Sequence, residues 1–116
     1  MPEDKPLTTA EQHALKHFKT VLESLLTDNL LSLRLFGSRA RGEGTDESDL
    51  DVLVVLRRKD RAICRRIVEE ALETDLVYDT NLAPTILSAE EYQQNREYQT
   101  PFYHNVERES LPLQNF

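Results

Sequence analysis

Leu15, Phe18, Val21, Leu22, Leu25 and Leu26 recur at intervals of three and four residues, with polar residues filling most of the gaps. That spacing lines one face of an α-helix. Thr8 with Glu11, or Thr9 with Gln12, has the separation of a capping box, which satisfies free amides at a helix start. A helix is therefore expected from there to about Asp28. The period then changes to two. Leu31, Leu33 and Leu35 alternate with Ser32 and Arg34, which predicts a strand over Leu30 to Phe36 with the three leucines on one face. Gly37 ends it. A second strand is expected from about Asp49 to Arg57, and its apolar run, Val52 to Leu56, lacks alternation, as an inner strand covered on both faces does. Ile63, Ile67, Val68, Ala71, Leu72 and Leu76 fall on one side of a helix from about Asp60 to Val77. A third strand follows from Thr80 to Leu87, where Pro84 limits the pairing. Ser88 and Glu91 repeat the capping-box spacing and open a short polar helix to about Tyr98. The stretch from Thr100 to Phe116 has no single pattern. It holds aromatic anchors at Phe102 and Tyr103 and a strand-like segment near Leu111 to Leu113.

The order helix, strand, strand, helix, strand, helix predicts an α/β (α+β) fold, a small mixed β-sheet flanked by helices. Residues 1–7 hold two of the five prolines and no period, so they read as a loose tail, with a single domain over 8–116. Residues 42–48 (Gly42, Gly44, Thr45, Asp46, Ser48) read as a turn-rich loop. With 39% hydrophobic and 30% charged residues in 116, the chain has a modest core and an ionised surface. Its 14 basic and 21 acidic side chains give a net charge of −7, which argues against a duplex-DNA binder. One cysteine, Cys64, excludes an internal disulfide framework. No apolar run approaches a membrane span and the start lacks a signal-peptide core, so a cytoplasmic protein is expected. Between Arg34 and Arg66 nine basic residues meet six acidic ones, a local +3 against −10 elsewhere. Two readings stay open for that segment. It serves a small anionic ligand, or Arg57, Arg58, Lys59, Arg61, Arg65 and Arg66 form a solvated helix face.

The chemistry concentrates in Phe36-Gly37-Ser38-Arg39-Ala40-Arg41-Gly42 and, a loop later, Ser48-Asp49-Leu50-Asp51-Val52. Alternation along a strand puts Asp49 and Asp51 on one face, roughly 6 to 7 Å apart at Cα. Two anions beside an apolar run repel each other and resist desolvation. A divalent cation relieves both costs, and oxygen-only ligands suit Mg²⁺ shared with substrate phosphates. Gly37, without a Cβ, lets a phosphate approach the backbone. Exposed amides of a short helix expected from Ser38 to Arg41, with the Ser38 hydroxyl, are donors to anionic oxygens. Arg39 and Arg41 either add charge there or point to solvent. The P-loop pattern, the dinucleotide glycine pattern and the EF-hand loop are all missing. These residues by themselves reach metal-assisted binding of a nucleotide and in-line phosphoryl chemistry.

Gly37-Ser38, ten residues, then Asp49-Leu50-Asp51 resembles the signature of the minimal nucleotidyltransferases of the DNA polymerase β superfamily. The resemblance runs on through Leu87 and Ser88 to Pro101-Phe102, Asn105-Val106 and Glu109. It implies a nucleotidyltransferase (polymerase β-like) fold in which Gly37 and Ser38 bind the triphosphate of ATP. It also implies that Asp49 and Asp51 bind Mg²⁺ and position the α-phosphate. The implied reaction moves AMP from ATP to a hydroxyl and releases pyrophosphate. Small proteins of this kind occur beside a helical HEPN partner, an RNase toxin, which they adenylylate as antitoxins. The chain leaves no room for an acceptor domain, so the acceptor is expected on another chain, in a homo- or hetero-oligomer. The family's third carboxylate falls at Asn81 in the best register, with Asp79 two residues earlier as its substitute or as the end of the preceding helix. The alternative reading is a weak or inactive domain that binds nucleotide and neutralises a helical partner by complex formation.

Other residues have plainer readings. His13 and His17 sit one turn apart on the first helix and read as surface histidines, since no Glu accompanies them as a base. His104 and Cys64 read as packing residues. Tyr92, Tyr98, Phe102 and Tyr103 suit either an adenine shelf or a partner surface.

Overall fold

The computed structural model describes residues 7–42 and 49–116. Residues 1–6 of the expected tail and Gly44, Thr45, Asp46 and Ser48 of the expected loop lie outside them. Helix α1 spans Thr9–Leu26 and opens on the Thr8–Glu11 capping box. The Thr8 hydroxyl accepts the Glu11 amide at 3.1 Å, and Glu11 Oε1 accepts the Thr8 amide at 2.9 Å. After one 3-10 turn, strand β1 covers Leu30–Phe36. Strand β2 (Leu50–Leu56), helix α2 (Arg61–Tyr78) and strand β3 (Leu82–Ser88) follow. Helix α3 (Ala89–Glu97) opens on the Ser88–Glu91 capping box. Helix α4 (Pro101–Glu109) leads into the two-residue strand β4 (Leu111–Pro112).

The sheet order is β3-β2-β1-β4, with β2 and β3 parallel and the other pairs antiparallel. It is the small mixed sheet with helices that the pattern predicts. Pro84 sits in β3, an edge strand, where a missing amide is tolerated. β2 is central and buried on both faces. Leu50, Val52, Val54 and Leu56 join Leu15, Phe18 and Leu22 of α1 and Ile67 of α2 in the larger core. Leu53 and Val55 point the other way, to Val106 of α4, with Phe36, Leu87, Tyr92 and Phe102 packed around them.

Several expectations are corrected. Leu31 does not share a face with Leu33 and Leu35. The β1–β2 register jumps between Leu30 and Ser32, and Leu31, the unpaired residue of that bulge, is 42% exposed. The expected helix at Ser38 to Arg41 is a run of turns closed by backbone bonds such as Ala40 N–H to Gly37 O at 3.1 Å. On α2, Ile67 and Ala71 are buried, whereas Val68, Leu72 and Leu76 are exposed. β3 begins at Leu82 rather than Thr80. Helix α4 has no counterpart in the hydrophobic pattern. Its signal is local: Thr100 caps it by accepting the Tyr103 amide, and Pro101 sits at its first position, where no amide is needed. Among the described residues no helix is long and apolar enough to cross a membrane.

Candidate functional site

The candidate site forms where β1 ends and β2 begins. Phe36 and Asp51 are cross-strand partners, so Gly37 leaves the sheet beside the Asp51 side chain. Gly37 has φ +80°, a left-handed backbone that glycine adopts without penalty. An ideal Cβ there would overlap Asp51 Oδ2 and lie 3.3 Å from its Cγ. The turn and the carboxylate are thus in direct apposition. Gly37→Ala is expected to cost about 1–2 kcal/mol from the backbone alone, seen as a fall of several degrees in the thermal midpoint. An unchanged midpoint would show that the turn relaxes away from Asp51.

After Gly37 the chain turns tightly, and among the described residues the amides of Ser38 and Arg39 and the Ser38 hydroxyl donate to no oxygen. The protein leaves these donors unsatisfied. Neither arginine is one of them. Arg39, expected to add charge or point to solvent, is buried and makes a two-pronged ion pair with Glu11 of α1. Its NH1 lies 2.6 Å from Oε2 and its NH2 2.5 Å from Oε1. The buried Arg39 Nε has no hydrogen-bond partner. Arg41 NH1 donates to Glu109 Oε2 at 2.9 Å, at the end of α4. The turn is therefore pinned on one side to α1 and on the other to α4. Sequence reasoning had no means to pair Glu11 with Arg39 or Glu109 with Arg41 across such separations.

Asp49 directly precedes β2 and is exposed, while Asp51, one residue into the strand, is half-buried. Burial pushes the Asp51 carboxyl above its usual range, and the charge of Asp49 adds to the rise. This is the mutual repulsion that the Asp-x-Asp spacing implies, on the sheet face that carries Leu53 and Val55. In the parallel register Leu50 lies opposite Leu82 and Asp51 opposite Ala83. The Leu50 amide donates to Asn81 O at 2.8 Å, so Asn81, the residue just before β3, stands beside Asp49. Asp79 is not on that strand; it is the left-handed C-cap of α2, with φ 56°. Besides Asp51, the carboxylate that feels Asp49 is Asp75. Burial raises its pKa, the Leu82 amide and Thr80 hydroxyl lower it, Asp49 raises it again, and the net shift is upward. Its Oδ1 accepts both of those bonds at 2.9 Å, which fixes the entry to β3. Among the described residues no group of three His, Cys, Asp or Glu side chains is arranged to hold a metal ion.

The basic cluster does not serve this site. Arg57, Arg58, Lys59, Arg61, Arg65 and Arg66 are all exposed. They begin where β2 ends, about 20 Å along the strand from Asp51 at some 3.3 Å per residue. Only Arg61, Arg65 and Arg66 lie on α2; Arg57, Arg58 and Lys59 precede it. Arg57 donates to Asp28 O at 2.7 Å and Lys59 pairs with Glu91 at 2.6 Å, so the solvated helix face is narrower than expected. Tyr92, Phe102 and Tyr103 gather on the site's side of the sheet. Phe102 meets Phe36 edge-on at 5.4 Å, and Tyr92 lies 5.8 Å from Tyr103. Tyr92 donates to Glu107 Oε1 at 2.8 Å; burial and that bond raise its pKa strongly. Tyr98 stands apart, 80% exposed. His13 and His17 are exposed, as expected. His104, expected to pack, is exposed against the Tyr103 ring, and Cys64 is half-buried.

Comparison with known proteins follows the same lines. Residues 15–104 match the family described as "Nucleotidyltransferase domain". A relative from Methanocaldococcus jannaschii, provisionally named protein adenylyltransferase MJ0141, is 36% identical over 76 residues, covering 62% of this chain and 74% of that protein. A second from the same organism, MJ0604, provisionally named likewise, is 44% identical over 45 residues, 39% of this chain and 45% of that protein. Among solved structures, a toxin–antitoxin with AMP-PNP superposes with a TM-score of 0.54 at 18% identity, covering 84% of this chain and 71% of that one. A minimal nucleotidyltransferase, also provisionally named, superposes at 0.51 with 24% identity, covering 87% and 94%. At those identities the structural likeness shows the fold alone.

Proposed function

Since the chain belongs to the nucleotidyltransferase domain family, we propose that it transfers AMP from Mg·ATP to a hydroxyl of a partner protein. In this reading it acts in the cytoplasm as the antitoxin of a HEPN/minimal nucleotidyltransferase pair. The observation that carries the reading is the apposition of the Gly37 turn to Asp51, with free donors on one side and paired carboxylates on the other. Gly37 and Ser38 hold the β- and γ-phosphates, through the Ser38 and Arg39 amides and the Ser38 hydroxyl. Asp49 and Asp51 hold the divalent metal. The donor set fits such an ion: both ligands are carboxylate oxygens, and their repulsion is the cost a hard dication removes. When bound, the metal neutralises phosphate charge as it spreads toward the leaving group. In the transfer the acceptor hydroxyl releases its proton to solvent as its oxygen bonds to the α-phosphorus, the bond to the bridging oxygen of the β-phosphate breaks, and pyrophosphate leaves. The names of the Methanocaldococcus relatives and the AMP-PNP-bearing toxin–antitoxin structure support nucleotide and partner alike.

Asn81 favours a second reading. It stands beside Asp49, and its carboxamide takes no proton near neutral pH. A domain lacking that base would bind nucleotide and neutralise a helical partner by complex formation. Incubation with ATP labelled in the α-phosphate, Mg²⁺ and the co-purified helical partner separates the two. Label on the partner is the expected result. An intact complex with no label transferred would overturn the enzyme reading in favour of the binding module.

A further inference from the structure

The outward face of α2 is apolar where a solvent-facing helix is normally polar. Val68, Leu72 and Leu76, four residues apart, form a stripe and are 42%, 57% and 86% exposed. Arg61 and Arg65 extend the stripe toward the N-terminus, and Asp79, three residues beyond Leu76, extends it past the C-terminus. Among the described residues the side chains of Arg61, Arg65 and Asp79 make no hydrogen bond or ion pair. From end to end the stripe reads basic, apolar, acidic, with the exposed Glu69 and Glu73 along one flank.

That order runs against the helix's own dipole. A helix end with free amides favours anions, and the end with free carbonyls favours cations. The first turn of α2 holds no acidic residue and its last turn no basic one; Asp60 caps the start, while Asp79 stands at the end. Alone, the arrangement leaves the C-terminal end of α2 without a compensating cation.

We infer that the outward face of α2 pairs with the same face of a second copy, antiparallel about a two-fold axis through Leu72. Such an interface is isologous and must complement itself, and along the stripe this one does. Leu72 meets Leu72, Val68 meets Leu76, and Arg65 of each copy meets Asp79 and the carbonyl end of the other copy's helix. A uniformly acidic partner would match only the arginine end, and a uniformly basic one only the aspartate end. A second copy satisfies both ends together. The inference is independent of the reaction proposed above.

Sedimentation across a concentration series tests it. The wild-type chain is expected to dimerise reversibly, and Leu72→Glu to weaken the dimer by about a hundredfold or more, since it sets two carboxylates against each other at the axis. Leu72 is exposed, so the variant should keep its far-ultraviolet circular dichroism. Arg65→Asp should also weaken the dimer, and Arg65→Asp with Asp79→Arg should restore it, a recovery that a merely structural role for either residue does not give. A wild-type monomer at all concentrations overturns the inference, as does a dimer indifferent to Leu72→Glu. If the monomer instead binds a helical partner protein and loses it with Leu72→Glu, the face belongs to that partner and self-pairing is overturned.

Discussion

Asp51→Asn, alone or with Asp49→Asn, is expected to lower adenylyl transfer by about a thousandfold or more while leaving the folded protein as stable as before, or slightly more so. The activity loss follows from the worth of a metal at a transferring phosphoryl group, several kcal/mol, at about 1.4 kcal/mol per factor of ten. The stability result has a separate cause. Burial already pushes the Asp51 carboxyl up, and the charge of Asp49 pushes it further, so a neutral amide of the same shape removes repulsion from the metal-free protein. Linkage gives a second readout. A ligand that binds only the folded state raises its thermal midpoint. Mg·ATP should therefore raise the midpoint of the wild type and not of the double variant. Transfer that persists in the double variant would place the metal elsewhere.

The second large effect is on stability. Arg39→Met is expected to cost about 3 kcal/mol, at the lower end of the range for breaking a buried pair, because Glu11 keeps slight contact with solvent. The loss comes from leaving the Glu11 carboxylate buried beside an apolar side chain. Arg39→Met with Glu11→Gln should recover part of it, since the charge that lost its partner is gone as well. Urea denaturation measures both variants; a double variant less stable than either single one would contradict the account. The pair also has a pH signature. Burial alone would raise the Glu11 pKa, but the Arg39 bond and the Thr8 amide outweigh it, and the net shift is downward from 4.5. A depressed carboxylate contributes stability that is complete above its unfolded value and lost as pH falls through the folded one. Wild type should thus lose stability below about pH 4.5 more steeply than Arg39→Met, in which the depression is relieved.

What the sequence made legible was what is decided locally. The Thr8–Glu11 and Ser88–Glu91 capping boxes are contained within four residues each, and both form. β1 stops where its pattern says because Gly37 is needed at a positive φ. The apposition of Gly37 and Asp51 follows once β1 and β2 are paired as neighbours. What stayed hidden depends on pairing across the chain. Arg39 finds Glu11, 28 positions away, and no local rule joins them. The bulge at Leu31 exists only in relation to β2, so alternation alone placed that leucine wrongly. On α2 the apolar positions occupy more of the circumference than one contact can bury, and periodicity does not say which part meets the sheet. Asp75 was passed over because its role is to receive the Leu82 amide from the far side of a turn.

The alternation of β2 ties the fate of the site to that of the core. Asp51 reaches the Gly37 turn by the same two-residue period that delivers Leu53 and Val55 to Val106. A one-residue insertion or deletion between Asp51 and Leu53 would turn one set of side chains over relative to the other. Selection for a folded chain therefore guards the placement of this carboxylate even when its chemistry is not under selection. In a lineage that has stopped using the reaction, the aspartate's identity can drift by point substitution while its position in space stays fixed, so a dormant site of this design is one codon change from being restored.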